Sequence, residues 1–193
     1  MQNFLEPLRS FWNGAVFTAF DTETTGLKPE FHNVIEIGAV RFDKSGVIAR
    51  YNVLIKPPKP VPAEITKINN ISNQMLENMP GFSQRAGDFL RFIQGSYLIA
   101  HNAPFDVSFI NAELKRCNLP NLQNEILDTV VISRQAFPQF PKFNLQFLAQ
   151  NLNINVKNAH RAEDDARVCM ELFIKIVEKL CPKPNINTNI EER

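Results

Sequence analysis

Four carboxylates and one histidine stand in three short runs of this chain. Asp21 and Glu23 lie in Phe20-Asp21-Thr22-Glu23-Thr24-Thr25-Gly26-Leu27, Asp106 in His101-Asn102-Ala103-Pro104-Phe105-Asp106, and His160 and Asp165 in His160-Arg161-Ala162-Glu163-Asp164-Asp165. Carboxylate oxygens are hard ligands, suited to two divalent cations such as Mg²⁺ or Mn²⁺. Two such ions about 3.5–4 Å apart stabilise both the attacking and the leaving oxygen of an in-line displacement at phosphorus. A histidine, with an ordinary pKa of about 6.5, can take the proton of an attacking water at neutral pH. Together these residue types allow the hydrolysis of a phosphodiester bond.

Each run also has a plainer reading. An Asp-x-Glu at a strand end can simply be solvated. Asp106 after Pro104, and Glu163 to Asp165, suit the first turn of a helix, where the helix dipole favours negative charge. Spacing adds to the chemical reading. Residues two apart on a strand share a face, so Asp21 and Glu23 repel one another unless a cation lies between them. Thr22, Thr24 and Thr25 offer hydroxyls and, with Gly26, backbone N–H groups and a turn suited to a phosphate or terminal sugar. If a helix starts near Ala162, His160 sits in the preceding loop and Asp165 in the first turn. Glu36, inside an apolar strand, is expected to bond backbone near the site, and Asp128 to be structural.

The elements that must position these residues are legible from periodicity. Ala15 to Phe20, Val34 to Phe42 and Val47 to Ile55 read as strands, with turn chemistry at Asp43-Lys44-Ser45-Gly46, so an antiparallel meander is expected. Lys56-Pro57-Pro58-Lys59-Pro60 ends it. Strands at Tyr97–Ala100 and Ile126–Thr129 then alternate with helices at 82–93, 105–117, up to Ala136, 144–152 and 162–180. The sum is α/β: a mixed sheet flanked by helices. The predicted organisation is an N-terminal segment (1–14), one domain (15–181) and a polar, disordered tail (182–193).

A chain of 193 residues can bury a sizeable core. Its net charge of +1 argues against a tight, sequence-independent grip on long duplex nucleic acid, but does not exclude an enzyme that holds only a strand end. Three scattered cysteines without a CxxC pair argue against a disulfide framework or zinc site and suggest a reduced, cytoplasmic setting. No membrane span and no signal peptide are expected.

The three motifs, in this order, resemble those of the DEDDh 3′–5′ exonucleases, most of all the epsilon-like proofreading branch of bacterial replicative polymerases. The likeness extends through Val34 to Val40, Leu127-Asp128-Thr129 and Phe137 to Leu145, over roughly residues 15 to 180. It implies a ribonuclease H-like fold. It implies that Asp21 bridges two Mg²⁺ or Mn²⁺ ions, that Glu23 and Asp165 complete the site of the ion carrying the attacking water, that Asp106 serves the second ion, and that His160 is the general base. Leu27 resembles an apolar wedge against the terminal base, and Phe105 a stacking residue, with core packing the alternative for both. His101 and Asn102 would border the metals, and Arg134, Lys142 and Arg161 are candidate phosphate contacts. The implied substrate is the 3′ end of nucleic acid, single-stranded DNA being favoured, with release of nucleoside 5′-monophosphates in proofreading or repair. An RNA exonuclease of the same superfamily and a non-catalytic polymerase-binding module are the alternatives. Any polymerase subunit would have to dock without a long C-terminal extension. The segment with Phe4, Leu5, Leu8, Phe11 and Trp12 is a candidate surface, unless it packs on its own domain.

Overall fold

The computed structural model describes residues 4–183. Of the tail expected to be disordered, residues 184–193 lie outside the described residues. The five strands are β1 (Phe17–Thr24), β2 (Val34–Asp43), β3 (Gly46–Leu54), β4 (Tyr97–Ala100) and β5 (Ile126–Asp128). They form one sheet in the order β3-β2-β1-β4-β5. The pairs β1–β2 and β2–β3 are antiparallel, whereas β1–β4 and β4–β5 are parallel. This is the expected meander extended by parallel strands. β1 is central and runs four residues beyond the expected end at Phe20. Asp21 pairs with Gly38 and Glu23 with Glu36. The hydrogen-bonded ladder keeps the strand going where the apolar pattern stops.

Eight helices are described: α1 (Leu5–Trp12), α2 (Ala63–Asn69), α3 (Asn73–Leu76), α4 (Phe82–Ile93), α5 (Ala103–Arg116), α6 (Thr129–Ala136), α7 (Leu145–Asn151) and α8 (Ala162–Leu180). Side-chain alternation along the strands sorts them into two layers. Phe17, Ala19, Val40, Phe42 and Ile99 face α8, α6, α7 and α1. Phe20, Ile37, Ala39, Leu98 and Ala100 face α4 and α5. The N-terminal segment is therefore no spare docking surface. It forms α1, buries Leu8 and Phe11 against the first layer, and ties Trp12 Nε1 to Cys181 O at 2.6 Å.

Helices α2 and α3 had no counterpart in the sequence reading. Both are short, and α2 is stopped by Asn70 in the left-handed conformation (φ 59°), a signal a lone asparagine does not advertise. Among the described residues no helix is long and apolar enough to cross a membrane.

Candidate active site

Strand β1 sends its side chains two ways. Asp21 and Glu23 project to the α8 face, and Thr22 between them projects to the α5 face. Thr22 donates to Asp106 Oδ1 twice, from its backbone N at 2.9 Å and from Oγ1 at 2.8 Å. The first turn of α5 is thereby pinned to β1, and Asp106 is 3% exposed.

The third motif arrives through Gly38, the partner of Asp21 in the ladder. A Cβ on Gly38 would collide with the backbone of Ala162 and Glu163. Only glycine lets the start of α8 lie this close to the sheet. Glu36, two residues earlier on the same face, receives Arg161 through Nε (3.1 Å) and a terminal guanidinium nitrogen (2.7 Å). It also accepts from Ala162 N at 3.2 Å. A buried carboxylate thus caps the helix, as expected of Glu36. Arg161 is committed to that ion pair, which corrects its reading as a phosphate contact.

The result is a cluster in which Asp21, Glu23 and Asp165 each offer an oxygen within 4.8 Å of the others, a set that could hold a metal ion. His160 N donates to Asp165 Oδ2 at 3.0 Å. The other oxygen, Oδ1, is buried and has no hydrogen-bond partner. Buried polar atoms are rarely left unpaired, because the desolvation penalty is then uncompensated. A cation among these oxygens would satisfy Oδ1 and offset the crowding of charge. That crowding shows in the acid strengths. Burial, then the neighbouring carboxylates Asp106, Asp165 and Glu23, push Asp21 well above the usual carboxylate range. Burial raises Glu23 to about 8 against a hydrogen bond from Asn69, and Asp106 to about 7 against the two bonds from Thr22. Asp165 is raised by burial too, partly countered by His160 N.

The remaining motif residues divide by what their polar atoms already do. Thr24 Oγ1 donates to Gly26 O (2.7 Å), and Thr25 Oγ1 accepts from Asn33 N (2.9 Å). With Thr22 on Asp106, the three hydroxyls expected to meet a ligand hold the bulged end of β1 and its loop instead. His101 has both ring nitrogens engaged, by Thr129 Oγ1 and Phe143 O at 2.9 Å each. A carbonyl only accepts, so Nε2 carries the proton, and burial lowers the pKa against that bond. It is a brace and not a base. Asn102, left-handed at φ 67°, caps α5 and donates its N–H to Asp128 Oδ1 at 3.1 Å. Asp128 also caps α6, a structural role as expected. Phe105 packs on Phe109 with ring centroids 4.9 Å apart, whereas Leu27 is 78% exposed and takes no part in the core. Arg134 lies over the Phe143 ring. His160 is exposed, at φ 62°, in the loop before α8.

Three positioning residues escaped the sequence reading. Asn69 ends α2, is 1% exposed and donates to Glu23 Oε2 at 3.2 Å. Asp164 accepts from the N–H groups of Lys157 (2.7 Å) and Asn158 (2.8 Å), fixing the loop that carries His160. Glu113 braces the loop after β1 through Asn33 and Val34. Glu113 alone had a sequence signal: an acid on the apolar face of α5, in step with Phe109 and Ile110.

Comparison with known proteins agrees with this geometry. The family model described as "Exonuclease" matches residues 18–173. The DNA polymerase III subunit epsilon of Treponema pallidum (strain Nichols) is 51% identical over 163 residues, 83% of this chain and 76% of that protein. The 3′-5′ exonuclease DinG of Bacillus subtilis (strain 168) is 37% identical over 169 residues, but the match spans only 18% of its length. Among solved structures, exonuclease I superposes with a TM-score of 0.76 at 21% identity, over 88% of this chain and 42% of that one. The mixed sheet is thus the ribonuclease H-like fold of exonuclease I.

Proposed function

The chain belongs to the exonuclease family, and from that premise we propose that it removes nucleoside 5′-monophosphates one at a time from DNA 3′ ends. The observation that carries this reading is the convergence of Asp21, Glu23 and Asp165, with Asp165 Oδ1 buried and left without a hydrogen-bond partner. A structural acid cluster would have been neutralised by arginine or hydrogen bonds, as Glu36 and Asp164 are.

In this reading Asp21, Glu23 and Asp165 would hold one divalent cation and Asp106 would help to hold a second, Mg²⁺ or Mn²⁺ by ligand type. When bound, the two ions supply an activated water and charge compensation at the leaving oxygen. The protein's own groups do the rest. Asn69 and His160 N fix the outer oxygens of Glu23 and Asp165, and Thr22 fixes Asp106, so the carboxylates need not reorganise during the reaction. The His160 ring makes no hydrogen bond among the described residues and stands in solvent, free to turn toward a bound strand end. It takes the proton of the attacking water on an imidazole nitrogen and releases it to solvent. Leu27 presents an apolar surface beside the end of β1 for the terminal base. By likeness to the epsilon subunit we place the protein in the cytoplasm, in proofreading or repair, with a polymerase as its partner.

The deciding experiment incubates the protein with 5′-labelled single-stranded DNA and RNA of one sequence, with Mn²⁺ or with EDTA, beside Asp21→Ala. A metal-dependent ladder shortening from the 3′ end on DNA, absent in the variant, is expected. A ladder on RNA alone would transfer the protein to RNA processing. No cleavage of either would leave a binding module.

A further inference from the structure

His160 acts from wherever its loop holds it, and that loop has little packing of its own. Residues 153–161 belong to no helix or strand, and of their side chains Ile154 alone is buried. Asn153 (φ 55°) and His160 (φ 62°), both left-handed, bracket the segment. A stretch that buries so little apolar surface cannot offset the entropy of its own ordering.

Asp164 and Arg167, one turn apart on α8, fix it through its backbone. Asp164 Oδ2 accepts from Lys157 N (2.7 Å) and Asn158 N (2.8 Å). Its Oδ1 accepts from Arg167 Nε (2.9 Å) and from a terminal guanidinium nitrogen (2.7 Å). That same nitrogen also donates to Asn155 O, while the other terminal nitrogen donates to Glu171 Oε1 at 2.5 Å. An acid that answered only the helix dipole would stand in solvent. Here the Asp164 and Arg167 side chains are 10% and 12% exposed, and both Asp164 oxygens are taken. The rigid fork of an arginine serves all three acceptors at once, which the point charge of a lysine cannot do. The pair also lines a polar cavity of about 360 Å³, with Lys157 and Asn158 from the loop and Arg50 and Asn52 from β3. The loop therefore has open space beside it once released.

We propose that the Asp164–Arg167 pair is a clip that positions His160 for catalysis. Neither side chain belongs to the carboxylate set that could hold a metal ion, so both act through His160 and are positioning residues. The clip holds the backbone at 155, 157 and 158, and Asp165 Oδ2 holds His160 N at 3.0 Å. The imidazole then reaches the attacking water by side-chain rotation alone. Without the clip the loop must be ordered anew for each strand end, and a base displaced by about 1 Å costs up to about 10²-fold in rate. The proposal rests on the nuclease reading of the site.

The test uses the full chain and two variants, Asp164→Ala and the milder Arg167→Lys, which keeps the charge but loses the fork. Limited trypsin digestion without metal reads the clip itself, through cleavage after Lys157 identified by fragment mass. Loss of two charge-assisted hydrogen bonds is expected to quicken that cleavage at least about tenfold in Asp164→Ala, and less in Arg167→Lys. Single-turnover cleavage of 5′-labelled single-stranded DNA in Mg²⁺ then reads positioning. Asp164→Ala is expected to lower the rate about 10–100-fold in the wild-type background, but by less than about twofold in the His160→Asn background. A general loss of structure would instead lower the rate equally in both backgrounds, and would overturn the positioning role. Wild-type digestion at Lys157, or faster digestion with an unchanged cleavage rate, would overturn it as well. If Asp164→Ala does not fold, as its melting temperature would show, Arg167→Lys carries both readouts. If the wild type cuts no DNA, the nuclease reading falls and the positioning role with it; if it cuts and the two substitutions act additively, the positioning role alone falls.

Discussion

Buried carboxyl groups crowded together are costly to a folded chain, and the upward shift of their pKa values expresses that cost. Asp21, Glu23, Asp106 and Asp165 are all shifted upward by burial, Glu23 from 4.5 to about 8. Where folded values exceed unfolded ones, the native state binds more protons, so stability is greatest in acid and falls as pH rises through the gap. The metal-free protein should therefore lose melting temperature between pH of about 5 and about 8. Saturating Mg²⁺ should raise the melting temperature and flatten that slope. A metal-free melting temperature that rises across this window would contradict the crowding of the site. His160 gives a cleaner kinetic test. Its left-handed backbone is one that asparagine also tolerates. His160→Asn should then keep the loop and the melting temperature while lowering kcat by about 10²–10⁴, the usual worth of a general base. Single-turnover cleavage at saturating metal checks this; a kcat near wild type would remove His160 from the mechanism.

At the scale of elements, the site depends on how closely α8 lies on β2. Gly38→Ala would put a methyl group into the backbone of Ala162 and Glu163. The expected cost is about 1–3 kcal/mol of overpacking, together with weaker metal binding, because Asp165 is carried away from Asp21. Denaturation with and without Mg²⁺ separates the two effects. An unperturbed variant would show that α8 can settle elsewhere. This contact also marks where sequence reading stops. The strands and five of the eight described helices were readable, because hydrophobic period is a local signal, and motif spacing marked the residues proposed for the chemistry. Gly38 looked like any small residue in Val-Ile-Glu-Ile-Gly-Ala-Val, and Asn69 like any polar residue in a loop. Their roles come from what the tertiary fold lays against them, α8 in one case and Glu23 in the other. The threonines show the converse. Their hydroxyls suit a phosphate, but the bulge after Glu23 leaves backbone groups that Thr24 and Thr25 must satisfy first.

Across the whole molecule, the two apolar layers are unequal in what seals them. The α8 layer is closed at one end by α1, where Phe11, 2% exposed, meets the rings of Trp12, Phe17, Phe42 and Phe173. Phe11→Ala should cost about 3–5 kcal/mol, seen as a lower urea midpoint with an unchanged m-value. A cost below about 1 kcal/mol would mean that α1 is an accessory to the fold. The order of the elements along the chain has a further consequence, for a protein still being made. Asp21 and Glu23 emerge from the ribosome first, Asp106 follows after some eighty residues, and His160 and Asp165 come with α8, the last of the described elements. A nascent chain that has not yet exposed α8 holds Asp21, Glu23 and Asp106 but lacks Asp165 and His160, the proposed base. On the proposed reading, a chain still short of α8 cannot yet cut the nucleic acid around it.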